Sequence, residues 1–146
     1  MKTIQHLLAA GRRAPIAVGP NDTVLRALML MSEEDIGALL VVEDGRLVGI
    51  FSERDYARKV VLRGRASRDT RVRDIMSDRV FYLTPERTVE EGMALMTDKR
   101  IRHLPVLNAE GEVLGLVSIG DLVKETISHQ AFLIDPGGAA LAGDDR

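Results

Sequence analysis

Residues Thr23 to Tyr56 align with Thr88 to Leu122 at an offset of 65 positions, which becomes 66 after one inserted residue. Identities fall at Thr23/Thr88, Val24/Val89, Leu30/Leu95, Met31/Met96, Ile36/Ile101, Leu39/Leu104, Val41/Val106, Gly45/Gly111, Gly49/Gly115, Ser52/Ser118 and Asp55/Asp121. An internal repeat constrains the fold more than any single motif, because each copy must form the same supersecondary unit. A unit of roughly 60 residues buries too little surface to be comfortable alone. The two copies are therefore expected to pack against each other about a pseudo-twofold axis.

The local signals recur with the identities. Thr23 and Thr88 suit helix N-caps. Apolar residues follow at helical spacing: Val24, Ala27, Leu28 and Met31 in the first copy, and Val89, Met93 and Met96 in the second. Next come two short apolar runs, Ala38 to Val42 and Leu47 to Phe51, around Glu43-Asp44-Gly45-Arg46, whose Asp-Gly predicts a tight hairpin turn. The second copy repeats them as Leu104 to Leu107 and Val113 to Val117 around Asn108 to Glu112. A second helix is expected from Ser52 to Val61 and from Ser118 to Ile127. With a leading strand at Ile16 to Val18 and at Val80 to Leu83, each copy reads β-α-β-β-α. The fold class is thus α/β in content, of the α+β kind: two pseudo-symmetric repeats in one module with clefts between them. The hairpins, and the lack of G-x-G-x-x-G and G-x-x-x-x-G-K-[ST], exclude dinucleotide-binding and P-loop architectures.

The expected boundaries are an N-terminal docking helix within 1–15, a first repeat with an Arg-rich connector at 16–70, a second repeat at 71–130 and a flexible tail at 131–146. Ile4, Leu7 and Leu8 share one face of the docking helix, which Gly11 would close. Arg63, Arg65, Arg68, Arg71 and Arg73 read as a solvated linker, with a phosphate or partner contact as the alternative. Met29, Met31, Met93 and Met96 read as core filler.

The motif that carries chemistry is Gly49-Ile50-Phe51-Ser52-Glu53-Arg54-Asp55, echoed by Gly115-Leu116-Val117-Ser118-Ile119-Gly120-Asp121 at each strand-to-helix junction. Ser followed three residues later by an acid is close to a capping box. The same geometry suits a ligand. An uncovered helix N-terminus offers N–H groups and partial positive charge to a phosphate, and a carboxylate has acceptors for both hydroxyls of a ribose. Gly49 and Gly115 carry no side chain to block a ligand lying across the strand.

In this combination the two copies resemble a pair of cystathionine-β-synthase-type (CBS) domains, a Bateman module, over about residues 16 to 129. The stretches 52–60 and 100–106 look particularly like stand-alone two-CBS proteins of bacteria and plant organelles. The resemblance implies an adenosine ligand (AMP, or ADP, ATP or NAD) in clefts between the copies, with Asp55 and Asp121 on ribose and Ser52 and Ser118 near phosphate. It also implies that Ile36-Gly37-Ala38 and Ile101-Arg102-His103 face the clefts. Arg102 and His103 are basic where the first copy has Gly37 and Ala38, and they resemble the basic pair of the AMP-activated protein kinase gamma subunit. The second copy's Asp121 together with Arg102 and His103 is therefore expected to form the stronger phosphate site. His103 as a structural histidine and Arg102 as a surface charge are the plainer alternatives. A face-to-face homodimer and an unidentified protein partner are implied as well.

Composition narrows the rest. With 20 Lys and Arg against 22 Asp and Glu there is no global field for nucleic acid. The absence of cysteine excludes disulfides and thiolate metal sites within this chain, and no metal is expected. No apolar run is long enough for a membrane helix, and a cytoplasmic location is expected. The function read from the sequence is a non-enzymatic regulatory module. A dimerisation module with empty clefts is the alternative, and a Ser118/His103/Asp121 hydrolase is the remote one, since no Gly-x-Ser-x-Gly elbow is present.

Overall fold

A computed structural model describes residues 2–9 and 15–127. Its elements run α1 (Ile4–Ala9), β1 (Ala17–Val18), α2 (Val24–Glu34), β2 (Ala38–Glu43), β3 (Arg46–Ser52), α3 (Glu53–Tyr56), α4 (Val89–Lys99), β4 (His103–Leu107), β5 (Val113–Ser118) and α5 (Ile119–Ile127). The chain after α3 continues as a π-helical turn at Ala57–Val61. Gly11 and the 131–146 tail lie outside the described residues.

Both middle helices start as their sequence demands. The Thr23 hydroxyl accepts from the Arg26 amide at 3.1 Å. Thr88 and Glu91 form a reciprocal capping box, with the Glu91 amide donating to Thr88 Oγ1 at 3.0 Å and the Thr88 amide to Glu91 Oε1 at 2.9 Å. Each helix ends on a left-handed residue that is not glycine: Asp35 at φ 54° and Arg100 at φ 56°. These occupy matching places in the two copies and, as shown below, border the two clefts.

The Asp44-Gly45 turn forms as expected, with φ of 53° and 78°, and sets β2 antiparallel to β3 with Leu39 opposite Phe51. β1 adds parallel to β2. In the second copy β4 and β5 pair antiparallel, but the expected strand at Val80 to Leu83 shrinks to one parallel bridge between Leu83 and Val106. Val80 and Phe81 instead line a cleft.

The core has two halves, one around Val24, Leu39, Val41 and Phe51, the other around Val89, Leu104, Val106 and Val117. Each half is completed by a segment expected to belong elsewhere. Val72 and Ile75 of the connector join the first, and Ile4 and Leu7 of α1 join the second. The backbone contacts correspond: Val24 N–H donates to Thr70 O and Val89 N–H to Lys2 O, while Val72 N–H donates to Asp22 O and Ile4 N–H to Arg87 O. Residues 70–77 thus dock on the first copy. The arginine-rich connector is ordered, with Arg71 donating to Asn21 O at 2.8 Å and Arg73 to the Asn21 side chain. Of the four methionines read as core, Met31 and Met96 are buried and Met93 packs on the second half, but Met29 is 49% exposed.

Candidate functional site

The Ser and Asp of each repeated motif are held by the same reciprocal contacts. Ser52 N–H donates to Asp55 Oδ2 at 3.0 Å and the Asp55 amide to Ser52 Oγ at 3.2 Å. Ser118 N–H donates to Asp121 Oδ2 at 2.8 Å and the Asp121 amide to Ser118 Oγ at 3.1 Å. The first helical amides are also partnered, Glu53 N–H with Gly37 O and Ile119 N–H with Arg102 O. The helix N-termini are therefore not the open anion cradles expected from the sequence. Nor do the motif glycines leave open space: a Cβ on Gly49 would meet Met76 and Ser77, and one on Gly115 would meet Leu8.

Two clefts lie between the copies. The larger, of about 760 Å³, brings together Ser52 and Asp55 with Ile101, Arg102 and His103. The smaller, of about 400 Å³, brings together Ser118 and Asp121 with Ile36, Gly37 and Ala38. Each cleft thus joins the acid of one copy to the pre-strand segment of the other. The expected grouping of Asp121 with Arg102 does not occur, because Arg102 faces Asp55; His103 alone of the basic pair also reaches the smaller cleft.

The clefts differ in charge. Arg54, Arg58, Lys59, Arg79, Lys99, Arg100 and Arg102 line the larger one against Glu53 and Asp55. Among the described residues, the charged ones lining the smaller cleft are Asp35 and Asp121, with His103 beside them. Part of the difference is a charge reversal between the copies: Glu34-Asp35 at the end of α2 matches Lys99-Arg100 at the end of α4. This was readable in the alignment, yet the expected site included neither pair. Also missed was the apolar wall of the larger cleft, Ile50, Val80, Phe81 and Ile101, where the Lys99 ammonium stands 4.9 Å from the Phe81 ring centre.

Asp55 is buried and fully engaged. Its Oδ1 accepts from Lys59 at 3.2 Å and from Ser77 Oγ at 3.3 Å, and its Oδ2 accepts from Ser52. Lys59 also donates to Ile75 O at 3.1 Å, and Arg54 reaches across to Arg100 O at 3.0 Å. His103 has its pKa lowered from 6.5, first by burial; Asp121 and Glu53 oppose the shift and Arg102 adds to it. Among the described residues no group of three His, Cys, Asp or Glu could hold a metal ion, and no helix is long and apolar enough to cross a membrane.

The CBS domain model matches twice, at residues 10–62 and 72–128, and the chain belongs to the CBS-domain family. It is 46% identical over 112 residues to the mitochondrial CBS domain-containing protein CBSX3 of Arabidopsis thaliana, covering 73% of this chain and 54% of that protein. The chain therefore spans about half the length of that relative. A CBS-domain structure from Burkholderia ambifaria MC40-6 superposes with a TM-score of 0.87 at 50% identity, covering 92% of this chain and 100% of that one. The CBS pair of MJ0100, solved with 5′-methylthioadenosine and S-adenosyl-L-methionine, superposes with a TM-score of 0.78 at 21% identity, covering 89% of this chain and 99% of that one. CBS-domain pairs are regulatory, signal-transducing modules.

Proposed function

We propose that the chain is a non-catalytic regulatory module whose larger cleft holds a phosphate-bearing adenosine ligand, AMP first, with ADP, ATP and NAD as candidates. One observation carries this reading: a ribose-competent carboxylate, a cluster of cations and an apolar wall line the same cleft between the copies. Asp55 takes the ribose hydroxyls in place of Lys59 and Ser77, Ser52 stays beside it, and Arg100 and Arg102 meet the phosphate by charge-assisted hydrogen bonds. The adenine packs among Ile50, Phe81 and Ile101. In the smaller cleft Asp121 and Ser118, facing Ile36, Gly37 and Ala38, take an adenosine ligand without phosphate, since Asp35 and Asp121 repel an anion. The MJ0100 pair carries adenosine ligands on this fold; at its low identity that likeness supports the fold, and the residues of the clefts support the ligand.

The ligand acts by differential affinity for arrangements of the two copies, and a protein partner reads the change. Exposed Leu25 and Met29 on α2 and Val123 and Ile127 on α5 favour a homodimer. The lack of cysteine suits a cytoplasmic setting. A hydrolase built on Ser118 is disfavoured, because the Ser118 hydroxyl caps its own helix through the Asp121 amide.

Calorimetric titration and thermal unfolding with AMP, ATP, NAD, adenosine and 2′-deoxy-AMP test the reading. Ligand at 100 times its dissociation constant adds about 2.7 kcal/mol of stability. Asp55→Asn should abolish AMP binding, and 2′-deoxy-AMP should bind wild type weakly. No response of the folded protein to any adenosine compound would leave the dimerisation module with empty clefts as the better reading.

A further inference from the structure

Among the described residues, His103 and Gly37 are the two that line both clefts. They form the partition between them: a Cβ on Gly37 would lie 3.0 Å from Glu53 Oε1 and 3.8 Å from His103 Cε1, so the ring crosses from its own copy to cover the other copy's glycine together with Glu53. The matching position in the first copy is Ala38, so the partition holds a single titratable ring rather than a symmetric pair. Charge reaches that ring from both sides. Asp121 from α5 and Asp35 from the end of α2 stand on the smaller cleft, while Glu53 and Arg54 from α3, Arg100 from the end of α4 and neighbouring Arg102 stand on the larger. Burial favours the uncharged imidazole, Asp121 and Glu53 favour the imidazolium, and Arg102 opposes it.

We propose that His103 couples the two clefts by gaining a proton when an anion enters the larger and losing it when adenosine enters the smaller. An anion beside the ring offsets Arg102 and stabilises the positive charge. Adenosine on the other face strips water from the ring and engages Asp121, which removes the support for that charge. Because each ligand shifts the same protonation equilibrium in opposite directions, the two antagonise each other, and the antagonism is reciprocal. It also depends on pH, vanishing where the ring stays neutral throughout. This rests on the anion and adenosine roles given above to the clefts.

The test follows the imidazole proton resonances of the full chain, which has three histidines, with the His103 signal identified by its loss in His103→Gln. Inorganic tripolyphosphate is the anion probe. Its saturation should raise the His103 midpoint by about half a unit, a threefold change in proton affinity. Adenosine should lower it. In calorimetry at pH 5.5, saturating tripolyphosphate should weaken adenosine binding in wild type by up to about threefold, the limit that the half-unit shift sets, and not at all in His103→Gln. If both probes bind but the His103 midpoint stays fixed, the coupling is wrong while the cleft assignments stand. An equal antagonism in His103→Gln also overturns the coupling, indicating competition for one cleft. If tripolyphosphate does not bind, the anion role of the larger cleft falls and the coupling falls with it.

Discussion

Gly49 lies so close to Met76 that a Cβ added to it would stand 2.7 Å from the Met76 sulfur and 2.9 Å from the Ser77 carbonyl oxygen. The connector cannot retreat cheaply, since Ile50 and Ser77 exchange two backbone hydrogen bonds of 2.9 Å each. Gly115, its counterpart, meets only the flexible end of Leu8 at 2.7 Å. Gly49→Ala should therefore cost about 1 to 3 kcal/mol by overpacking, and Gly115→Ala clearly less. Urea unfolding of the two variants measures the difference, and equal losses would contradict it.

The exchanged leading segments make a second prediction. Ile4 is fully buried in the second half of the core and Val72 in the first. Ile4→Ala should cost about 2 to 5 kcal/mol, although it sits in the first turn of a six-residue helix. Hydrogen exchange should show where the loss falls. Ile4→Ala should loosen the amides of β4 and β5, and Val72→Ala those of β2 and β3.

These contacts mark what the sequence could and could not convey. The repeat, the Thr caps and the Asp44-Gly45 turn depend on neighbours in the chain, and all were legible. So was the Ser-Asp pairing of each motif, for the same reason. Which acid shares a cleft with which basic pair depends on how the copies face each other, and the expectation that Asp121 joins Arg102 failed there. Alignment places Asp121 and Arg102 in the same copy, but the pseudo-twofold packing turns each acid towards the other copy's pre-strand segment. The connector misled for a related reason. Its five arginines point to solvent, while Thr70 and Val72 between them and Ile75 just beyond are buried. Comparison of Ile4-Gln5-His6-Leu7-Leu8 with Val72-Arg73-Asp74-Ile75-Met76 would have revealed a further repeated element.

Arg102 separates phosphate recognition from nucleoside recognition. It is exposed and lines the larger cleft, not the smaller. A charge-assisted hydrogen bond contributes about 1.5 to 3 kcal/mol, so Arg102→Gln should weaken AMP binding roughly 10- to 100-fold. Adenosine binding should change little, and the salt dependence of AMP affinity should flatten. Calorimetry at two ionic strengths reads both effects. Equal weakening for AMP and adenosine would mean that Arg102 supports the cleft rather than the phosphate.

His103 gives the stability of the free protein a pH dependence with a definite sign. Its folded pKa lies below 6.5 because burial disfavours the charged ring, with Arg102 adding to the effect and Asp121 and Glu53 only partly offsetting it. In the unfolded chain the ring regains its ordinary value, so on acidification the unfolded state takes up this proton before the folded state does. Stability then rises with pH wherever the unfolded state binds more protons. The contribution of His103 is therefore fully present above about pH 7.5, declines as pH falls through 6.5, and stops changing once the folded ring is protonated too. Carboxylates add their own dependence at lower pH, so the informative quantity is the difference between wild type and His103→Gln from pH 8 to 5.5. Wild type should lose stability relative to the variant across that range in urea unfolding. A constant difference would mean that the buried ring titrates alike in both states, and a difference of opposite sign would mean that Asp121 and Glu53 outweigh burial.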